Sequence, residues 1–127
     1  SSTDFPLFRL ADVYLMYAEC TIRGAGGSSS QAKDYVNLVR NRSNATSILE
    51  SDLTLDFILD ERGRELNLEG HRRSDLIRFN KFTGSEYVWQ WKGGVQAGRG
   101  VSDHLKLYPI PASDIVANPN LKQNPGY

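Results

Sequence analysis

Glu61 and Glu65 are the residues in this sequence best placed to do chemistry. Four apart on a helix, their carboxylates share one face, the arrangement that a general acid and a general base would need. Arginines stand beside them at 62 and 64. A neighbouring guanidinium favours the ionised carboxylate, whereas a general acid must keep its proton. The pair therefore reads as part of a charge network, and no catalytic residue is assigned. Asp60 with Arg64, Glu61 with Arg64 and Arg62 with Glu65 have spacings at which opposite charges meet on a helix, each exposed pair being worth about 0.3–0.5 kcal/mol. Glu69, Arg72, Asp75 and Arg78 carry the same pattern past Gly70, where bidentate arginine–carboxylate pairs would lock two helices at a corner. The expected task of Glu61, Arg62, Glu65, Glu69, Arg72, Asp75 and Arg78 is structural, with Arg62, Glu65, Arg72 and Asp75 less exposed than their charge suggests. Arg72, Arg73 and Arg78 would also suit a phosphate, but Glu69 and Asp75 compete for their donors.

A second constellation is aromatic. EYVWQWKGG at 86–94 alternates, so as a strand it would put Tyr87, Trp89 and Trp91 on one face. Three rings side by side form a platform that can stack on the apolar face of a sugar, with indole N–H groups left for its hydroxyls. These three are the candidate ligand-binding residues, against the alternative that they cover a core. His71 and His104 lie far apart, Cys20 is the single cysteine, and no spacing suits a metal or a cofactor. The glycosylation patterns at Asn41 and Asn44 are short enough to be accidental.

The elements that must position these residues follow from periodicity. Phe8 to Arg23 is apolar nearly all round and predicts a helix buried on most sides, ended by GAGGSSS at 24–30. Ser28 with Gln31 fits a capping box, and Ala32, Tyr35, Val36 and Val39 mark one face of a second helix ending near Arg42. Thr54 can cap a third helix running to 69, with Leu55, Ile58, Leu59 and Leu66 as its apolar stripe, and Gly70 separates it from a short fourth helix from Arg72 to Phe79. Beyond Lys81, glycines at 84, 93, 94, 98 and 100 predict long loops with at most a short β-hairpin. Prolines at 109, 111, 119 and 125 predict an extended tail with one helical turn near Ser113 to Val116. The fold class is mainly α: tetratricopeptide-like hairpins over 8–79, then a loop-rich segment over 80–127.

Composition narrows the partners. The chain has 127 residues, room for one modest domain, and two hairpins fall short of the roughly three repeats such stacks need. It is expected to be a fragment of a longer protein. Fifteen Lys plus Arg balance fifteen Asp plus Glu, so there is no net field to gather nucleic acid or an anionic membrane. The most apolar stretch, LADVYLMYAEC, is broken by Asp12 and Glu19, too early for a membrane span or a signal peptide.

Four blocks, FRLADVYLMYAEC, VNLVRNR, ILDERGRELNLEGHRRSDLIRF and LYPIPASDIVANPNLKQNPGY, together resemble the C-terminal portion of the SusD/RagB family of outer-membrane nutrient-binding lipoproteins. Glu61, Arg62, Glu65, Glu69, Gly70, Arg72, Asp75, Leu76 and Arg78 carry the resemblance at the corner. Pro109, Ile110, Pro111, Asn118, Pro119, Asn124, Pro125, Gly126 and Tyr127 carry it in the tail, while Arg73-Ser74 departs from the aromatic-rich corner of many relatives.

The resemblance implies a non-catalytic component of a TonB-dependent uptake complex, docked on a SusC-like transporter at the surface of a Bacteroidetes-type outer membrane. The ligand would be an oligosaccharide or polysaccharide, or in some branches a peptide. Membrane attachment would come from an upstream lipidated cysteine, not from Cys20. No family ligand motif maps here residue by residue. The alternative from another class is a helical-repeat adaptor for a protein or peptide.

Overall fold

The computed structural model describes residues 7–127, and among these there are five α-helices and no strand. They are α1 (Leu10–Ile22), α2 (Ser29–Arg42), α3 (Leu55–Glu65), α4 (Arg72–Arg78) and α5 (Ala112–Ala117), with 3₁₀ turns at Glu50–Asp52, Lys92–Gly94 and Asp103–Lys106. None of the helices is long and apolar enough to cross a membrane. The chain forms two compact units, Ser1–Asp75 and Leu76–Tyr127, and α4 runs across the boundary.

In the first unit α1 packs against both α2 and α3. Ser28 Oγ accepts the Gln31 N–H at the start of α2, and Thr54 Oγ1 accepts the Phe57 N–H at the start of α3, so both N-caps form. The Ser28 N–H, however, donates to Tyr17 Oη at 3.1 Å, and the reciprocal half of the expected Ser28–Gln31 capping box does not form. The core is Leu15, Ala18, Ala32, Val36, Val39, Ile48, Ile58, Leu59 and Leu66. Tyr14 stacks on Tyr35 at 4.5 Å and Tyr17 meets Tyr35 edge-on at 5.1 Å, pinning α1 to α2. Asn37 ties the following loop to α2, accepting the Ile48 N–H at 2.8 Å and donating to the Ile48 carbonyl at 3.1 Å.

Two expectations for this unit are corrected. α1 is not buried on most sides, because Leu10, Val13 and Met16 form an exposed apolar face. Its inward face instead carries Asp12 and Glu19 beside Leu15 and Ala18. α3 ends at Glu65 rather than 69, since Leu68 and Gly70 both take positive φ, +64° and +80°, and the chain turns before the predicted cap.

The second unit is held largely by polar contacts to backbone. Around the tail, Tyr127 Oη donates to the Leu107 carbonyl at 2.7 Å and Asn124 Nδ2 to the Tyr108 carbonyl at 2.7 Å. The Gln123 amide accepts the Ile110 N–H and donates to its carbonyl, giving Ile110 the pairing that a neighbouring strand would otherwise supply. Pro111 caps α5.

Candidate functional site

The charged corner is neutralised largely from outside, by groups on α1, α2 and the residue before α1. Arg62 is 3% exposed and reaches two acids: its Nη1 donates to Asp12 at 2.7 Å and its Nε to Asp75 at 2.9 Å, both buried. The expected Arg62–Glu65 pair is not what forms: Arg62 takes Asp12 of α1 and Asp75, while Glu65 takes Arg9 and Arg42. Glu61 binds Arg40 of α2 at 2.7 Å and Arg64 at 2.7 Å. Glu65 binds Arg9 at 2.8 Å and Arg42 at 2.8 Å, while Glu69 takes a further bond from Arg9 at 2.7 Å. Glu69, then Glu65, hold the Arg9 guanidinium above its usual proton affinity through hydrogen bonds that outweigh its partial desolvation.

Arg72 lies half-buried across Gly63 and donates to the Leu59 carbonyl at 2.7 Å. A Cβ on Gly63 would come within 2.8 Å of the Arg72 Nη1, so the glycine clears its path. Asp75 is buried and Arg78 lies over the Phe79 ring at 5.4 Å from its centre. The seven network residues are thus placed, and Arg62, Glu65 and Asp75 are as enclosed as expected.

Glu61 holds Arg40 of α2 and Arg64 of its own helix, and Glu65 holds Arg9 and Arg42. A cleft of about 290 Å³ between α1 and α2 is lined by Arg9, Leu10, Ala11, Tyr14, Leu38, Val39 and Arg42. One of about 410 Å³ at the α3–α4 corner is lined by Arg62, Gly63, Leu66, Asn67, Leu68, Gly70, Arg72 and Arg73. Neither carboxylate lines either cleft. Arg9, Asp12, Arg40 and Arg42 were not foreseen as members of the network. The available signal was Asp12 itself, an acid inside an otherwise apolar helix that needs a partner if it is buried.

The aromatic segment differs from its prediction in backbone. Residues 86–91 form bends and a turn, and Trp91 has φ +69°, so the period-2 alternation of a strand is lost. Tyr87 is half-buried, Trp89 is 39% exposed and Trp91 is 65% exposed. Trp89 lies tilted against Phe82, ring centres 6.5 Å apart. Gly98 passes so close that a Cβ there would overlap the Trp89 carbonyl, and its φ of +78° independently favours glycine.

Lys92, which strand alternation would put on the face opposite the three rings, is buried. It is 3% exposed, and its Nζ donates to the carbonyls of Gly84 at 2.5 Å, Tyr87 at 2.6 Å and Lys81 at 3.4 Å. The same Nζ lies 4.7 Å from the centre of the Trp89 ring. Burial pulls this ammonium below the ordinary lysine range. What remains outward are the side chains of Trp89 and Trp91, each a residue type able to stack on a ring and bond through its indole N–H.

Comparison with known proteins adds an independent line. The model of the SusD family matches residues 1–127. The chain is 46% identical over 125 residues to the starch-binding protein SusD of Bacteroides thetaiotaomicron, covering 98% of this chain and 22% of that protein. It is 37% identical over 124 residues to a SusD-like protein of Formosa agariphila, covering 93% of this chain and 23% of that protein. Among solved structures it superimposes on surface glycan-binding protein A from Bacteroides uniformis with a TM-score of 0.75 at 28% identity, covering 94% of this chain and 27% of that one. A SusD superfamily protein from Parabacteroides distasonis matches with a TM-score of 0.73 at 29% identity, covering 97% of this chain and 27% of that one. The chain therefore spans about a quarter of the length of these relatives, two of which are named for binding starch or surface glycans.

Proposed function

The chain belongs to the SusD family, and we propose that it is the C-terminal part of a non-catalytic glycan-binding component of an outer-membrane, TonB-dependent nutrient-uptake complex. The observation that carries this reading is the 46% identity to a starch-binding protein across 98% of the chain. The closed charge network supports the non-catalytic half of the proposal, since Glu61 and Glu65 are occupied by arginines. In this reading the partner is a SusC-like transporter, and the intact protein is held at the cell surface by a lipid anchor upstream of these residues.

The helical hairpins serve as scaffold, and Trp89 and Trp91, with the half-buried Tyr87, form the aromatic edge for the ligand. Isothermal titration of the intact protein against a panel of neutral and acidic glycans tests the reading. Saturable binding to at least one of them is the expected result, with the glycan recovered unhydrolysed. Turnover of the glycan, lost in Glu65→Gln with the fold intact, would overturn the non-catalytic assignment.

A further inference from the structure

The loop after α4 has no helix or strand over 81–91, so its carbonyls have no ladder to satisfy them. A lysine ammonium has three N–H donors and no acceptor. Lys92 directs its ammonium at three carbonyls, those of Gly84, Tyr87 and Lys81, which come from one short stretch of chain. It does so while 3% exposed. Its backbone is engaged too: the Lys92 N–H donates to the Trp89 carbonyl at 3.1 Å, and the Lys92 carbonyl accepts the Arg99 N–H at 3.0 Å. A single residue thus ties Lys81, Gly84, Tyr87, Trp89 and Arg99 together.

We propose that Lys92 is the positioning residue of the aromatic edge, a fixed internal cation that gathers the loop's carbonyls and holds Trp89 in the orientation from which Trp89 and Trp91 meet a sugar ring. This inference rests on the glycan-binding reading above and adds what makes the edge ready before the ligand arrives. Its ammonium sits 4.7 Å from the Trp89 ring centre, within the range of a cation–π contact, and in a buried site that contact is not diluted by water. Trp91, the residue immediately before it, is left in the left-handed region and is 65% exposed. An edge fixed in this way does not have to be ordered at the moment of binding, which preserves affinity. A buried ammonium with its donors turned to carbonyls is also not presented to the ligand, so the edge recognises sugar by ring stacking rather than by charge.

Methionine at 92 fills nearly the same volume but brings no donor, leaving three carbonyls to find others. Arginine keeps the charge, yet its planar fork cannot aim at three carbonyls that converge on one point. In the intact protein, titrated with its best-binding glycan, Lys92→Met and Lys92→Arg are each expected to weaken binding about fivefold or more, as truncating an anchor such as Trp91→Ala would. The free protein labelled with 5-fluorotryptophan should show the position-89 resonance, assigned by its loss in Trp89→Phe, shifted or broadened in both Lys92 variants. Where Lys92→Met fails to fold, Lys92→Arg carries the same test.

Wild-type affinity in a folded Lys92 variant, together with weakened binding in Trp91→Ala, would overturn the role of Lys92 alone. Wild-type affinity in both Trp89→Ala and Trp91→Ala would show that the ligand is met elsewhere, and the positioning role would fall with the edge.

Discussion

Removing Arg62 should be among the most damaging single changes in the first unit. Arg62 is 3% exposed, Asp12 5% and Asp75 1%, so all three charges are withdrawn from water. The guanidinium meets the two carboxylates at 2.7 and 2.9 Å. In Arg62→Met the apolar stem is retained, but two buried carboxylates lose a charged donor. Breaking a buried ion pair from one side costs about 3–5 kcal/mol, a large share of the roughly 5–15 kcal/mol that a domain has in total.

The same physics makes a less obvious second prediction. Burying the intact triad is itself costly, because each ion surrendered its hydration. Replacing all three residues together, Asp12→Leu, Arg62→Met and Asp75→Leu, should therefore recover most of the loss and come within about 1–2 kcal/mol of wild type. Urea unfolding followed by far-ultraviolet circular dichroism at neutral pH gives both numbers. A loss below about 1 kcal/mol for Arg62→Met, the level of an exposed pair, would refute the claim that burial governs this network. A triple variant as unstable as the single one would refute the argument from uncompensated charge.

Three smaller perturbations test other links. Thr54→Ala should cost about 1 kcal/mol by removing the acceptor for the Phe57 N–H, and Thr54→Ser should restore it, as read from unfolding midpoints. Asn37→Asp keeps an acceptor for the Ile48 N–H but sets a carboxylate oxygen against the Ile48 carbonyl, so about 1–3 kcal/mol should be lost in urea unfolding. Asp103 is held below its usual value of 3.8 first by the Thr83 hydroxyl and then by Lys106. Because its folded value is depressed, the stabilisation is fully present above 3.8 and disappears as pH falls through the folded value. A carboxyl carbon-13 titration should find the Asp103 midpoint below 3.8, and Thr83→Val should move it upward.

Much of the scaffold was legible because its signals are local. Ser28 and Thr54 act as N-caps because a short hydroxyl side chain reaches the N–H three residues ahead, whatever surrounds it. Ala32, Val36 and Val39 are buried because the helical period alone puts them on one side of α2. The end of α3 was less legible. Asn67 and Leu68 lie within the helical pattern, yet the chain has already turned at Leu68, where a non-glycine residue accepts a left-handed conformation that sequence rules do not favour.

The strand that alternation allowed at 86–94 does not form, for a related reason. Alternation describes which side chains could share a face, but nothing in the segment supplies a neighbouring strand to satisfy the backbone. The carbonyls of Lys81, Gly84 and Tyr87 turn to Lys92 instead, and Trp91 takes a positive φ. Trp89 and Trp91 are exposed, while the pleated platform is lost.

The sequence by itself determined the helices, their N-caps and the family, all of which depend on neighbours within a few turns or on motif order, whereas the ERGRELNLEGHRRSDLIRF corner, read as self-neutralising, takes most of its partners from elsewhere in the chain. Only the tertiary structure decided which charges meet. Arg62 finds Asp12 across 50 positions of chain, and Arg9 finds Glu65 and Glu69 across 56 and 60, because packing α1 against α3 brings them within reach. An ion pair is strong where water is excluded, and a spacing rule along one helix carries no information about where that will be.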